Sequence, residues 1–202
     1  MMRRSQLRIP GWVLGAALVL LVGCQGTSSP VQFYALSMPE PSSPAKMMDA
    51  IALGVGPLEI PKMIDRPQIV TRNSGNKLNV DDFHRWGGAL NEDILRVLTE
   101  HLTGLLQSNE VMAHPWAEYF QPDYRVYLVF HRFDGRLGES VVLNATWTVT
   151  DTRGRKSLAV RRSLIREPLK TTDYESLVFA ASVALEKLSR QIAQEVKALG
   201  AK

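Results

Sequence analysis

Val141, Leu143, Ala145, Trp147 and Val149 alternate with Val142, Asn144, Thr146, Thr148 and Thr150. A helix would scatter the first set around its axis. A strand gathers it on one face, because successive side chains point to opposite sides. The stretch is therefore a strand with one buried face, and something else in the chain must cover that face. Asp151-Thr152-Arg153-Gly154 supplies a turn after it, Leu158 to Arg166 a partner strand, and Tyr124 to Phe133 the strand before it. Three long neighbouring strands predict a C-terminal antiparallel meander. The cover comes last: Leu177, Ala181, Leu185, Leu188, Ile192, Val196 and Leu199 form a continuous helical stripe. Its start, Thr172-Asp173-Tyr174-Glu175, has the spacing of a capping box. Such a stripe reads as core packing against a sheet.

The first half follows the same two periods. Val31 to Leu36 reads as a first strand, and Ser37 to Met48, with Pro39, Pro41 and Pro44, as a loop. Ala50 to Ile60 reads as a strand interrupted at Pro57. Gln68 to Arg72 and Lys77 to Val80 flank Asn73-Ser74-Gly75-Asn76, a hairpin-turn composition. Leu90, Ile94, Val97, Leu98, Leu102 and Leu105 predict an amphipathic helix near 88–107, and Glu110 to Ala113 a short strand. The expected fold is α+β: a mixed sheet of about seven strands with a C-terminal antiparallel meander, packed against two main helices. The helix near 88–107 is a candidate crossover between parallel strands. No internal repeat is visible.

The extreme N-terminus obeys neither period. Residues 1–8 are basic, and Gly11 to Val22 is uncharged and strongly apolar. This is the layout of a secretory signal, and the run is shorter than the roughly 20 residues of a spanning helix. Leu21-Val22-Gly23-Cys24 then resembles the bacterial lipobox, in which a cysteine thiol receives diacylglycerol before cleavage frees its amine for another acyl chain. Each buried CH₂ adds roughly 0.8 kcal/mol, so several chains anchor durably. Gln25 follows the cysteine where an aspartate would signal inner-membrane retention, which favours the outer membrane. The expected organisation is a lipoprotein signal peptide over 1–23, a lipidated tether over 24–30 and one domain over 31–202. The chain carries 24 Lys and Arg against 20 Asp and Glu, a net charge of +4. Removing the signal removes Arg3, Arg4 and Arg8 and leaves about +1, so the basic balance does not indicate nucleic acid. With Cys24 as the one cysteine, no intramolecular disulfide and no cysteine-based metal site can form.

Catalytic patterns are missing from the sequence. His84, His101, His114 and His131 are too scattered for a helical zinc pair. No nucleophile elbow or P-loop occurs, and Gly54-Val55-Gly56 leads into Pro57, which lacks the N–H a phosphate cradle needs. Asp81-Asp82 reads as a helix start before it reads as a metal or acid–base pair. Tyr124, Arg125, Tyr127, Phe130, His131, Arg132 and Phe133 interleave aromatic and basic groups, as an RNA-stacking strand would. In an exported chain the same pattern reads as a strand with a solvated edge, or as a partner-binding face. No metal or cofactor is expected.

Val55-Gly56-Pro57-Leu58-Glu59-Ile60-Pro61, Ile64-Asp65-Arg66-Pro67-Gln68-Ile69-Val70-Thr71-Arg72 and Phe83-His84-Arg85-Trp86 resemble the PqiC-type auxiliary lipoproteins. These are the lipoprotein components of the paraquat-inducible, MCE-protein transport systems. Phe33-Tyr34-Ala35-Leu36 resembles the family's opening strand. The resemblance implies a periplasm-facing domain on the outer membrane, serving envelope integrity beside a periplasmic MCE-domain protein that carries lipid between membranes. It implies no catalytic activity. A stand-alone lipid-binding carrier or a small envelope enzyme is the alternative class; a carrier needs a closed apolar cavity, a subunit an exposed interaction surface. Candidate partner-binding residues are Asp65, Arg66, Pro67, Gln68, Trp86 and Arg125. Pro67 fixes φ and holds Arg66 extended, Asp65 can accept hydrogen bonds or pair with an arginine, and Trp86 offers a large apolar area with one N–H. A symmetric partner would also be matched by a homo-oligomeric ring of this chain, built from heterologous contacts.

Overall fold

The 141–150 alternation lies within a strand, Ser140–Asp151, and its odd-numbered set is buried from Val141 to Val149. The computed structural model describes residues 30–38 and 51–201. Its strands are β1 Gln32–Tyr34, β2 Leu53–Glu59, β3 Gln68–Ser74, β4 Lys77–Trp86, β5 Val111–Ala113, β6 Tyr124–Arg136, β7 Ser140–Asp151 and β8 Ser157–Pro168. Helix α1 is Leu90–Leu106 and helix α2 is Tyr174–Gly200. All of them lie in one unit, Val31–Lys202. The Ser37–Met48 loop falls mostly, and the signal and tether wholly or nearly so, outside the described residues.

The class is α+β as expected, with eight strands where about seven were anticipated. β6, β7 and β8 form the antiparallel meander. The other edge of β6 is shared. β2 runs parallel to its first half, from Leu53 opposite Tyr124 to Glu59 opposite Val129, and β3 meets its far end at Thr71 opposite Gly135. The sheet thus forks at β6, with β5 beyond β2 on one arm and β4 and β1 beyond β3 on the other. An extra residue near His131 separates the Phe130–Ala145 and Arg132–Asn144 pairs. That bulge shifts the buried set from Val126, Leu128 and Phe130 to Phe133 and Gly135.

Three expectations need correction. The helix near 88–107 does not join parallel strands. The β3–β4 hairpin reverses the chain first, so α1 leads from β4 to β5, which run in opposite directions on the two arms. Asp81-Asp82 does not start a helix; β4 continues to Trp86, and both carboxylates sit in a wide bulge between the Val70–Val80 and Gln68–Arg85 pairs. The final helix is capped one residue later than the capping box implies. Asp173 is its N-cap and accepts from the Ser176 N–H, while the Ser176 hydroxyl accepts from Lys170 and Thr171 N–H.

β2 runs through Pro57, and its register against β6 slips between Val55 and Leu58, the irregularity a proline in a strand calls for. Gly56 just before it has φ +110, and a Cβ there would meet His114 Cβ at 2.8 Å. A Cβ on Gly54 would lie 2.9 Å from the Trp116 ring, so the strand is bare there to admit the indole.

Both helices pack against each other and against the sheet. Leu90, Ile94, Val97, Leu98 and Leu102 from α1 meet Leu177, Ala181, Leu185, Leu188, Ile192 and Val196 from α2, all buried. Each fully buried Leu or Ile contributes roughly 1.5–3 kcal/mol relative to its exposed state. Trp147 joins this core, and its indole N–H donates to Ser163 Oγ at 2.9 Å, so the burial of a polar atom is compensated.

Candidate docking site

Two bends of the chain and one helix terminus build a continuous surface. The turn after β2 closes through Ile64 N–H and Asp65 N–H, which both donate to the Pro61 carbonyl. Ile64 is buried and anchors the turn, leaving Asp65, Arg66 and Pro67 exposed. The Pro67 carbonyl accepts from Trp86 N–H at 2.7 Å, which fixes the turn to the end of β4. Arg66 Nε donates to Gln68 Oε1, and Gln68 Nε2 in turn donates to Asp82 Oδ1 in the β4 bulge. No carboxylate of the described residues pairs with Arg66. It is an exposed cation held at a proline-stiffened bend.

The bulge connects that turn to α2. Asp81 Oδ1 accepts from Phe83 N–H at 2.8 Å, and Asp81 Oδ2 accepts from the Tyr174 hydroxyl at 3.1 Å. Burial, reinforced by the Asp81 charge, pushes the Tyr174 phenol up to about 12. His84 stacks on Tyr174 with ring centroids 3.9 Å apart, and its Nδ1 lies 2.8 Å from the Tyr34 hydroxyl. Tyr34 opens onto a groove of about 690 Å³ between β1 and the start of α2, where Phe33 (68% exposed) and Phe179 (48%) project. Lys170 lies over the Phe179 ring at 4.8 Å, and Asp173 and Glu175 stand at the groove's polar end. Backbone N–H donation from Ser176 holds the Asp173 carboxyl below its ordinary range. Exposed Phe83 and Met63 flank the same region of the chain.

The sequence-derived residues divide accordingly. Asp65, Arg66 and Pro67 form one exposed cluster with the half-buried Gln68 beside it. Trp86 is 8% exposed and lines the core beside Ile69, Val70, Phe133, Leu177 and Ala181, so its ring packs inward from the same turn. Arg125 lies elsewhere. β3 touches β6 at Gly135, ten positions along β6 from Arg125, roughly 33 Å at strand rise. Its guanidinium stacks 5.3 Å from the Trp116 ring centre, and its Nε is buried without a partner among the described residues. The sequence motif did not disclose the groove, whose walls come from β1 and α2, more than 130 positions apart. The exposed Phe33 was its one local signal. Among the described residues, no three His, Cys, Asp or Glu side chains gather into a metal-sized group. No helix among them is long and apolar enough to cross a membrane.

The fold is shared with proteins of known structure. An uncharacterized protein matches with a TM-score of 0.68 at 16% identity, over 83% of this chain and 99% of its own. The protein XCC0632 from Xanthomonas campestris matches with a TM-score of 0.65 at 16% identity, over 82% of this chain and 94% of its own. No curated protein matches the sequence. At such identities the likeness concerns architecture, while the sequence itself carries the family signature. The model of the ABC-type transport auxiliary lipoprotein component matches residues 34–193, from the last residue of β1 through β2 to β8, all of α1 and most of α2, and the chain belongs to that family of PqiC-like, membrane-anchored envelope lipoproteins.

Proposed function

We propose that the protein is a non-enzymatic outer-membrane subunit of an MCE-type intermembrane lipid-transport system that maintains envelope integrity. It is anchored by acyl chains, palmitate among them, on Cys24, and faces the periplasm. In this reading the Asp65–Gln68 turn docks a periplasmic MCE-domain protein. Copies arranged in a closed ring would match a rotationally symmetric partner. The observation that carries the reading is Arg66, an exposed cation that pairs with no carboxylate of the described residues, presented by a turn that is tied to the core through Trp86 and Ile64. Preorganised charge of this kind favours docking, since little side-chain or loop ordering is left for the moment of binding.

The void among Ile69, Trp86, Phe133 and Leu177 measures about 20 Å³, far below the volume of an acyl chain, and the larger groove lies open beside β1. That favours a subunit over a stand-alone carrier. Arg66→Glu tests the docking role. The variant is expected to keep its circular dichroism spectrum and to lose retention of the MCE-domain partner in a pull-down. A folded variant that still binds removes this turn from the interface.

A further inference from the structure

The outer edge of the meander carries a second surface, rich in arginine. β8 is a sheet edge of 12 residues that pairs with β7 alone among the described residues. Its outer backbone groups are a template for another strand, and proteins normally blunt such edges. Its two faces differ in their charge balance. Toward α2, Arg161 pairs with Glu195 at 2.9 Å and Glu167 with Lys187 at 2.5 Å, so the charges there are satisfied within the chain. Away from α2 the order is Val160, Arg162, Leu164, Arg166, standing opposite Thr148, Thr146, Asn144 and Val142 of β7. Val160 is 56% exposed and Leu164 is 72% exposed. Among the described residues, Arg162 and Arg166 reach only the neutral Asn144 and Ser140 side chains. Asp134, in register with Arg166 across Val142, is buried and already held by Arg72 and Arg132.

We propose that β8 accepts an extended acidic strand from a partner protein, added to its open edge. Side chains on one face of the added strand would alternate carboxylate and apolar groups, the carboxylates meeting Arg162 and Arg166 and the apolar groups lying by Val160 and Leu164. Strand addition satisfies the backbone, and the alternating side chains give the specificity. A second copy fits poorly, because antiparallel β8–β8 pairing sets one arginine-rich strand against another. An anionic lipid surface would answer the charge and leave the backbone edge unused. The inference shares with the proposed function only the premise that a partner exists, and its test does not use the MCE-domain protein, so the two can fail separately.

The full chain in dodecyl maltoside micelles is titrated with the peptide Glu-Thr-Val-Thr-Glu-Thr-Val-Thr-Glu and with its counterpart carrying Lys for Glu. Hydrogen exchange is followed at β8. The acidic peptide is expected to bind, to slow exchange of β8 amides and to weaken with added salt; the lysine peptide is expected to do none of these. In the doubly charge-reversed variant Arg162→Glu, Arg166→Glu the preference reverses, and the acidic peptide weakens by roughly tenfold or more, a change of about 1.4 kcal/mol. Both side chains are exposed, so melting temperature is expected to hold. Absence of acidic-peptide binding, binding without β8 protection, or an unchanged preference in the variant each overturns the proposal. So does capture by phosphatidylglycerol nanodiscs over phosphatidylcholine nanodiscs without any peptide effect, which would assign the face to lipid. Concentration-dependent dimerisation that itself protects β8 would assign the edge to a second copy.

Discussion

Asp134 is a buried carboxylate at the point where β3 reaches β6. It accepts from Arg72 Nε at 2.9 Å and from Arg132 Nε at 2.8 Å, so the fork of the sheet is closed by one acid between two guanidiniums. Asp134→Ala leaves two arginines that still reach water, which limits the cost. Chemical denaturation is expected to show a loss of roughly 2–3 kcal/mol. His101 acts through protonation. Its Nε2 is buried without a partner among the described residues, and burial holds it below its ordinary value of 6.5, against the opposing pull of Glu186 and Glu100 and with a smaller lowering by Arg190. The unfolded chain therefore takes up this proton at a higher pH than the folded one. Stability is full above about 6.5 and falls as pH drops through the folded value. His101→Leu is expected to flatten that decline between neutral pH and about pH 5, measured by urea unfolding across the range. Neither residue is legible as special in the sequence. Asp134 and Arg72 are 62 positions apart, and His101 differs from the other three histidines only by what α2 lays over it.

Elements were more legible than the contacts between them. Both helices and the meander announce themselves through periods of 3.6 and 2, because each buries one continuous face in the common core. What escapes such reading is produced by pairing. The His131 bulge, the extension of β4 through Asp81-Asp82 and the forked edge of β6 depend on which strand lies alongside, and no local pattern encodes that. The α2 cap shows the boundary case: the right segment was evident, yet the oxygen that caps it belongs to Asp173 and not to Thr172. Asp173→Ala is expected to cost about 1 kcal/mol by denaturant titration, with helix content at its first turn reduced. Leu188, fully buried on α2, belongs to the opposite regime; Leu188→Ala is expected to cost roughly 2–5 kcal/mol in the same assay. The Asp65–Gln68 turn was legible as a motif, while the exposure of Arg66, the inward packing of Trp86 and the adjoining groove emerged only from the structure.

The molecule as a whole carries its two unsatisfied surfaces at different places: the Arg66 turn with its groove by β1 and α2, and the basic edge of β8 at the end of the meander. In the proposed anchored state, Cys24→Ser is expected to leave unprocessed precursor and abolish acyl labelling, tested by incorporation of radiolabelled palmitate; normal labelling would remove the lipid anchor from the account. In that proposed state a pull on the anchor would enter the described domain through β1. β1 lies parallel to β4 for three residues, a ladder that resists a lengthwise pull in shear and a sideways pull one bond at a time. Directly behind it, Leu36 N–H is fastened to Asp93 at 2.7 Å and its carbonyl to Arg96 at 2.8 Å, while Ser37 N–H is fastened to Ser182 at 3.0 Å. The chain is thus cleated to both helices just after it arrives. A tug on the anchor can strip β1 and still spend its force on that cleat before any of it reaches the core.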